Sequence, residues 1–542
     1  MWARRLLFAA VSILGVGGLI GGLLHGDANT NSISPTADST AYAAGDIDSI
    51  IAQVNAEFEQ YWQSAGVQPT PQAPDLMIVR RLSLGLTGTI PSLEEIRLLE
   101  AARPEKPEQW WLSRLFVDRR YGDYVAERLA RAYVGSENGP FLLYRRRRFV
   151  LWLSDQLLAN QPYDQIVRRL IADSGLWTDT PAVNFITVTC TEDNQGQPDP
   201  VRLANRTARA FLGVRLDCVQ CHDDNLGGPW LQSDFHELAA YFASARSSLK
   251  GIQDNGSGAY EYQYLNTDHS QVVPPQPPFH EELLLPPEGT LRQQLAGWVT
   301  HKQNKPFARA MVNRTWALLF GKPLIEPIDN IPLEGPYPPG LETLAEDFVA
   351  HGYDLQRLIR IIAASAPFLR DSRADFEITP KHEQCWASFP LTRLRPEQVA
   401  GALLQSASLT TIDADSHILK KLIRYGQEAE FVKRYGDVGE DEFADRGGTI
   451  PQRLLMLNGE LVDERSKPNA VLNSSTRIAA LAPSDEKAVE IAYLAVLSRR
   501  PDGEEYAYFT DLLANSRGEV RAQRMGDLFW TLLNSSEFSW NH

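Results

Sequence analysis

The sequence predicts a mostly α, multi-helical protein of two domains with minor β segments, and three observations carry that class. Apolar residues recur at three- and four-residue steps along most of the 542-residue chain. Almost no stretch keeps the strict apolar–polar alternation of a half-buried strand. A break rich in proline and glycine, residues 246–289, separates the periodic stretches into two groups.

The chain opens on a targeting pattern. Arg4 and Arg5 precede an uncharged, largely apolar run from Leu6 to Leu24, just long enough to span a bilayer. A small-residue cleavage pattern, Ala41-Tyr42-Ala43, lies far beyond that run, which favours an uncleaved signal anchor. The rest of residues 1–45 reads as a flexible tether of Ser, Thr, Ala, Asn and Asp. The arginines should stay cytoplasmic, so the remainder of the chain is expected on the periplasmic side, held to the membrane at its N-terminus.

From Asp46 the helical period takes over, with Ile50, Ile51, Val54, Phe58, Tyr61 and Trp62 on one face. Ser92 and Glu95 have the spacing of a capping box and mark a helix start. Amphipathic stretches follow at Tyr121–Tyr133, Phe149–Leu158 and Tyr163–Ile171. The run Arg145–Arg148 reads as a solvated helix start with acids nearby. A polar, proline-containing break at 178–200 holds a β-like run, Val183–Cys190, and a helix is expected over Val201–Leu216 and another over Ser233–Ala245. Residues 46–245 form the first expected domain and 246–289 the linker, with a short β piece at Glu261–Leu265. Residues 290–542 form the second, with helices at Thr290–His301, Pro306–Phe320, Leu341–His351, Leu355–Ala366, Pro396–Leu404 and beyond Pro451.

The formal net charge of −15 argues against a nucleic-acid binder or a general binder of anionic surfaces. The sequence has no glycine-rich nucleotide loop, no Gly-x-Ser-x-Gly elbow and no His-Glu-x-x-His zinc motif. What stands out is Cys218-Val219-Gln220-Cys221-His222, which uses half of the four cysteines in the chain. Cys-x-x-Cys-His is the c-type haem attachment pattern. Thiols three positions apart lie about one turn from each other and can reach the two vinyl groups of one porphyrin, while the adjacent imidazole can ligate the iron as proximal ligand. The cofactor expected is therefore haem c on Cys218, Cys221 and His222. His236, on the next expected helix, and Met311, opening the second domain, are candidate distal ligands. Two other readings stay open. The two cysteines can form a short-range disulfide or redox pair, although the βαβ pattern of thioredoxins is missing. They can also be half of a zinc site, although no second Cys-x-x-Cys exists. In an exported chain Cys190 and Cys385 should be bonded to each other or buried.

Landmarks in both halves resemble a known family. The first half carries Arg80-Arg81-Leu82-Ser83-Leu84-Gly85-Leu86-Thr87-Gly88, Arg119-Arg120-Tyr121-Gly122, Pro162-Tyr163-Asp164 and Thr207–Val214, leading into the cysteine motif. The second carries Ala310–Trp316, Phe320-Gly321, Thr449–Gln452, Leu457-Asn458-Gly459 and Leu533–Phe538. This order is similar to the exported planctomycete-type proteins that join the domains of unknown function DUF1549 and DUF1553. The resemblance implies export, the Cys-x-x-Cys-His motif and company with cytochrome-c-like modules; it implies no activity. Members commonly place a second histidine two residues after the first, where this chain has Asp224.

The leading functional expectation is a membrane-tethered haem c protein in electron transfer or redox sensing, with a redox partner such as a cytochrome c. An exported hydrolase or oxidoreductase acting on an extracellular polymer is the alternative, using Asp217, Asp223, Asp224 and Trp230. A scaffold with a Cys218–Cys221 disulfide is another. The pair Asn313-Arg314 sits within a helical pattern; arginine suits carboxylate or phosphate recognition, and the plainer expectation is a buried ion pair.

Overall fold

The computed structural model describes residues 44–135, 146–224, 230–255, 258–265, 267–284, 288–412 and 450–542, apart from 460–461, 463–466 and 470–472. The expected anchor at Leu6–Leu24 and the tether up to residue 43 lie outside the described residues, as does Arg145. Among the described residues no helix is long and apolar enough to cross a membrane.

The protein is mostly α, with three short two-stranded sheets among the described residues. Counting helices of eight residues or more, α1 is Ala44–Ala65, α2 Asp75–Thr87, α3 Leu93–Ala102, α4 Pro107–Leu115, α5 Arg119–Val134, α6 Arg146–Leu158 and α7 Tyr163–Ala172. α1 buries Val54, Phe58 and Trp62, which recur every four residues along one stripe. The capping box at α3 forms as expected: the Glu95 amide donates to Ser92 Oγ at 3.1 Å and the Ser92 amide to Glu95 Oε2 at 2.8 Å. α5 and α6 pack closely at Gly122, where a Cβ would lie 2.7 Å from Ser154 Oγ. Arg146 opens α6 and pairs with Glu127 at 2.7 Å; its side chain is largely buried, whereas Arg147 and Arg148 are exposed as a solvated helix start should be.

The β-like run at Val183–Cys190 is not a strand. Pro181–Val183 is a 3-10 turn and Asn184–Thr187 a short α turn. Pro181 begins the turn and Asn184 Nδ2 donates back to its carbonyl at 2.8 Å. β-branched residues favour a strand only where a neighbouring strand receives them.

α8, Pro200–Thr207, starts at Asp199, whose carboxylate caps the amides of Val201 and Arg202. It continues as a π turn, Ala208–Leu212, that stops at Gly213 with φ 63°. A side chain there would be strained and would crowd Ile331, whose Cδ1 would lie 3.0 Å from the Cβ. α9 is Gln232–Ala240. Residues 246–289, expected as a linker, carry two hairpins. β1 (Ala245–Ser248) pairs antiparallel with β2 (Gly251–Asp254), and β3 (Tyr260–Tyr262) with β4 (Gln271–Val273). The β piece expected at Glu261–Leu265 overlaps β3 only at Glu261 and Tyr262.

Next come α10 (Leu291–Val299), α11 (Lys305–Phe320), α12 (Leu341–Ala350), α13 (Leu355–Ala364) and α14 (Pro396–Ser406). α15 (Ile450–Asn458), α16 (Ser474–Leu481), α17 (Asp485–Leu497), α18 (Gly503–Leu513) and α19 (Gly518–Leu533) complete the helices. β5 (Thr392–Arg393) pairs with β6 (Trp540–Asn541).

One apolar core takes residues from Val54 to Phe389, on both sides of 246–289. A second runs from Leu394 to Phe538 and is completed by Leu84 and Ile90. α2 therefore lies between the two cores and is buried on every side from Met77 onward. Its two arginines meet their burial unequally: Arg81 finds three backbone carbonyls, whereas Arg80 keeps Nε and Nη2 without a hydrogen bond. Arg81 donates to the carbonyls of Phe368 at 2.9 Å, Arg370 at 2.8 Å and His542 at 2.8 Å, and Arg80 to that of Val496 at 3.3 Å. Burial pushes the Arg81 guanidinium down to about 9 and that of Arg80 to about 10.

Candidate functional site

The cysteine motif follows Gly213 on a segment pinned from inside. Val214, Leu216 and Val219 are buried, and the Val214 amide donates to Ala208 O at 3.1 Å. Cys218–Gln220 is a single 3-10 turn. With Val219 turned inward, Cys218 and Cys221 stand on the outer side, both exposed and both unbonded.

The inner side of the turn is fixed through one carbonyl. Gln220 O accepts from His236 Nε2 at 3.0 Å, Gln232 Nε2 at 3.2 Å and the Tyr262 hydroxyl at 3.4 Å. The His236 ring lies parallel to Tyr262, with centroids 3.4 Å apart, and meets Tyr264 edge-on at 5.8 Å. A carbonyl cannot donate, so Nε2 of His236 carries the proton and Nδ1 accepts from the Tyr260 hydroxyl at 2.8 Å. Burial holds the His236 imidazole below its ordinary pKa and raises the Tyr260 phenol.

His222 is exposed, and its Nδ1 lies 2.7 Å from Asp223 O. The same argument places the proton on Nδ1, and in the neutral ring the lone pair is then on Nε2. Asp223 Oδ1 accepts the Gln232 amide at 2.8 Å, the Asp224 amide donates to Trp230 O at 3.0 Å, and Asp217 Oδ2 lies 3.8 Å from Arg209 Nε. Asp223 is therefore engaged in the turn's own scaffold. The half-buried Trp230 and the exposed Leu231 bring apolar surface to the same stretch. Among the described residues no three His, Cys, Asp or Glu side chains are gathered to hold a metal ion, so the zinc reading finds no chelating set.

The structure joins Cys218, Cys221 and His222 on one short segment and puts the two candidate distal ligands elsewhere. His236 is fully buried behind the turn with both ring nitrogens hydrogen-bonded. Met311 is buried on α11 and lines a cavity of about 10 Å³ with Val125, Leu129 and Ile359. Cys190 and Cys385 are buried and unbonded. Sequence reasoning passed over the tyrosines that support the turn, although Tyr260-Glu261-Tyr262-Gln263-Tyr264 has the period-two signature of a one-sided strand.

Asn313 and Arg314 part company. Asn313 Nδ2 donates to Ile325 O at 2.9 Å and its Oδ1 accepts the Ile325 amide at 2.9 Å, which fixes the loop after α11. Arg314 is buried without the ion pair expected for it among the described residues.

The family described as "Protein of unknown function (DUF1549)" matches residues 53–247, and that described as "Protein of unknown function (DUF1553)" matches residues 291–421. No curated protein and no solved structure matches the chain. The cysteine turn lies in the first matched segment and Asn313-Arg314 in the second: the chain carries a DUF1549 segment followed by a DUF1553 segment.

Proposed function

We propose that Cys218 and Cys221 carry a c-type haem through two thioether bonds, that His222 ligates its iron, and that the protein serves in electron transfer or redox sensing. One observation carries the reading: two exposed, unbonded thiols stand on a single rigid turn with an imidazole directly after them. The residues fit the group in two further respects. The Nδ1–H of His222 is held by a backbone carbonyl, the outer-shell arrangement that orients metal-ligating histidines. Trp230 and Leu231 supply apolar surface beside the turn, where a porphyrin needs it.

The haem supplies one-electron chemistry when bound. The chain's task is positional. Val219 and the Gln220 carbonyl hold the turn that carries the thiols. His236 and Met311 are committed to packing and hydrogen bonds and are not part of the proposed iron site. Export and N-terminal tethering belong to the same reading and rest on Arg4, Arg5 and the apolar run after them.

A second reading rests on the same exposed thiols: a reversible Cys218–Cys221 disulfide without haem. Intact-mass measurement on protein made with a functioning cytochrome c maturation system separates the two. A haem increment that is lost in the Cys218→Ala, Cys221→Ala double variant supports the proposal. A bare polypeptide mass sinks it, and a loss of two mass units on oxidation then supports the disulfide.

A further inference from the structure

Arg314 has no partner that would justify its burial. It is 8% exposed, its Nε has no hydrogen bond, and no ion pair reaches it among the described residues. A buried guanidinium without a counter-charge costs several kcal/mol, and arginine stays charged, so something must offset that cost.

Arg314 borders a polar cavity of about 60 Å³ that it shares with Arg131, Arg206, Arg209, Gly135 and Asp329. Asp329 is the one acid among the described lining residues, and it is already engaged: Arg209 Nε lies 2.7 Å from Oδ2 and Arg215 Nε 2.7 Å from Oδ1. These two guanidinium groups hold its carboxyl below the ordinary carboxylate range. Of the other lining arginines, Arg131 also meets Glu127 at 3.2 Å, Arg209 meets Asp217 at 3.8 Å and Arg206 donates to Val134 O at 3.3 Å, so Arg314 is the lining cation left without an ion pair or hydrogen bond among the described residues. A cavity of this size has room for several waters or one small oxyanion.

The cavity is also built rather than incidental. Arg131 comes from α5, Arg206 from α8, Arg209 from the π turn and Arg314 from α11, so the four lie around the space. The Asn313 clamp on Ile325 and the 2.7 Å bond from the Ile331 amide to Gly213 O fix the loop that delivers Asp329. Three of the arginines lie in the DUF1549 segment, and Arg314 and Asp329 in the DUF1553 segment.

We propose that this cavity binds a small tetrahedral oxyanion of the phosphate or sulfate class between the two family segments, with Arg314 as its principal ligand. Cations approaching from four elements suit oxygens that point in several directions, whereas a planar carboxylate is met by a fork from one side. The unpaired guanidinium of Arg314, with the other guanidinium groups around the same space, favours an anion there.

The test is calorimetric titration of the full chain in low-salt, phosphate-free buffer with inorganic phosphate, sulfate and malonate. Phosphate or sulfate should bind at one site per chain, and Arg314→Met should weaken that binding tenfold or more. In the anion-free protein Arg314→Met relieves an unpaired charge, so its Tm should be unchanged or higher; Arg314→Lys, which keeps the charge, should bind with intermediate affinity. Absence of phosphate and sulfate binding, binding of malonate alone, or equal phosphate affinity in wild type and Arg314→Met overturns the proposal.

Discussion

Replacing His236 by Phe tests how the cysteine turn is held. The substitution keeps the ring against Tyr262 but removes the donor to Gln220 O and the acceptor for the Tyr260 hydroxyl. Each such bond contributes about 1 kcal/mol net. The first loss is cushioned, because Gln220 O keeps Gln232 Nε2 at 3.2 Å; the second leaves a half-buried hydroxyl to find another partner. The His236–Tyr260 bond lies outside the turn, so the turn itself should lose about 1 kcal/mol of local stability, which is roughly a fivefold larger opening constant. Hydrogen exchange read on peptides covering 214–224 reports that constant directly. Exchange there should rise about fivefold, while α17 stays unchanged. A pH arm follows from the depressed histidine pKa. The opened state takes up the proton more readily than the closed one, so protection is complete above the ordinary histidine value, near 6.5, and declines as the pH falls below it. After correction for intrinsic exchange rates, wild type should show this decline and His236→Phe should not. Exchange within threefold of wild type, or an identical pH profile in both proteins, refutes the claim that His236 secures the turn.

Two other outcomes are expected. Arg292, fully buried on α10, is bidentate to Asp254 at 2.8 Å and donates to Ile171 O at 3.0 Å, Asp173 O at 2.9 Å and Ser174 Oγ at 3.0 Å. Arg292→Met strands the Asp254 carboxylate and should destabilise by about 3–5 kcal/mol, read by denaturant unfolding; a loss below about 1 kcal/mol counts against the role given to this pair. In protein made without haem maturation and kept reduced, a water-soluble thiol reagent should label Cys218 and Cys221 and spare Cys190 and Cys385. Burial pushes the Cys190 thiol up to about 12, which withholds the reactive thiolate; rapid labelling of Cys190 in the native protein contradicts its placement.

Helix periodicity was legible because each amphipathic stripe is local. Ser92 with Glu95 and the face of α1 could be read from neighbours three and four positions apart. The errors came where a distant partner decides. Val183–Cys190 has strand-like composition but no strand to join, and Pro181 with Asn184 turns it into a helical bend. The linker reading of 246–289 rested on proline and glycine alone and left out a long-range contact, the packing of its alternating tyrosines on His236. At the candidate site the thiols and His222 were legible from spacing alone. The support behind them was not, since Gln220 O meets His236 across 16 residues and Tyr262 across 42. The solitude of Arg314 is invisible in sequence for the same reason: a missing partner is a property of three-dimensional surroundings.

The partners of Arg80 and Arg81 bear on the order of assembly. Arg81 reaches the carbonyl of a residue 461 positions later, and Arg80 one 416 positions later. Contacts so far apart in sequence form only after the chain between them has been made and brought together. While that stretch is being synthesised, α2 lacks the carbonyls that Arg80 and Arg81 bond to and the second apolar surface that covers Leu84. The same wiring leaves residues 46–245 without a self-sufficient α2, so that segment made by itself would expose an apolar, doubly charged helix to aggregation.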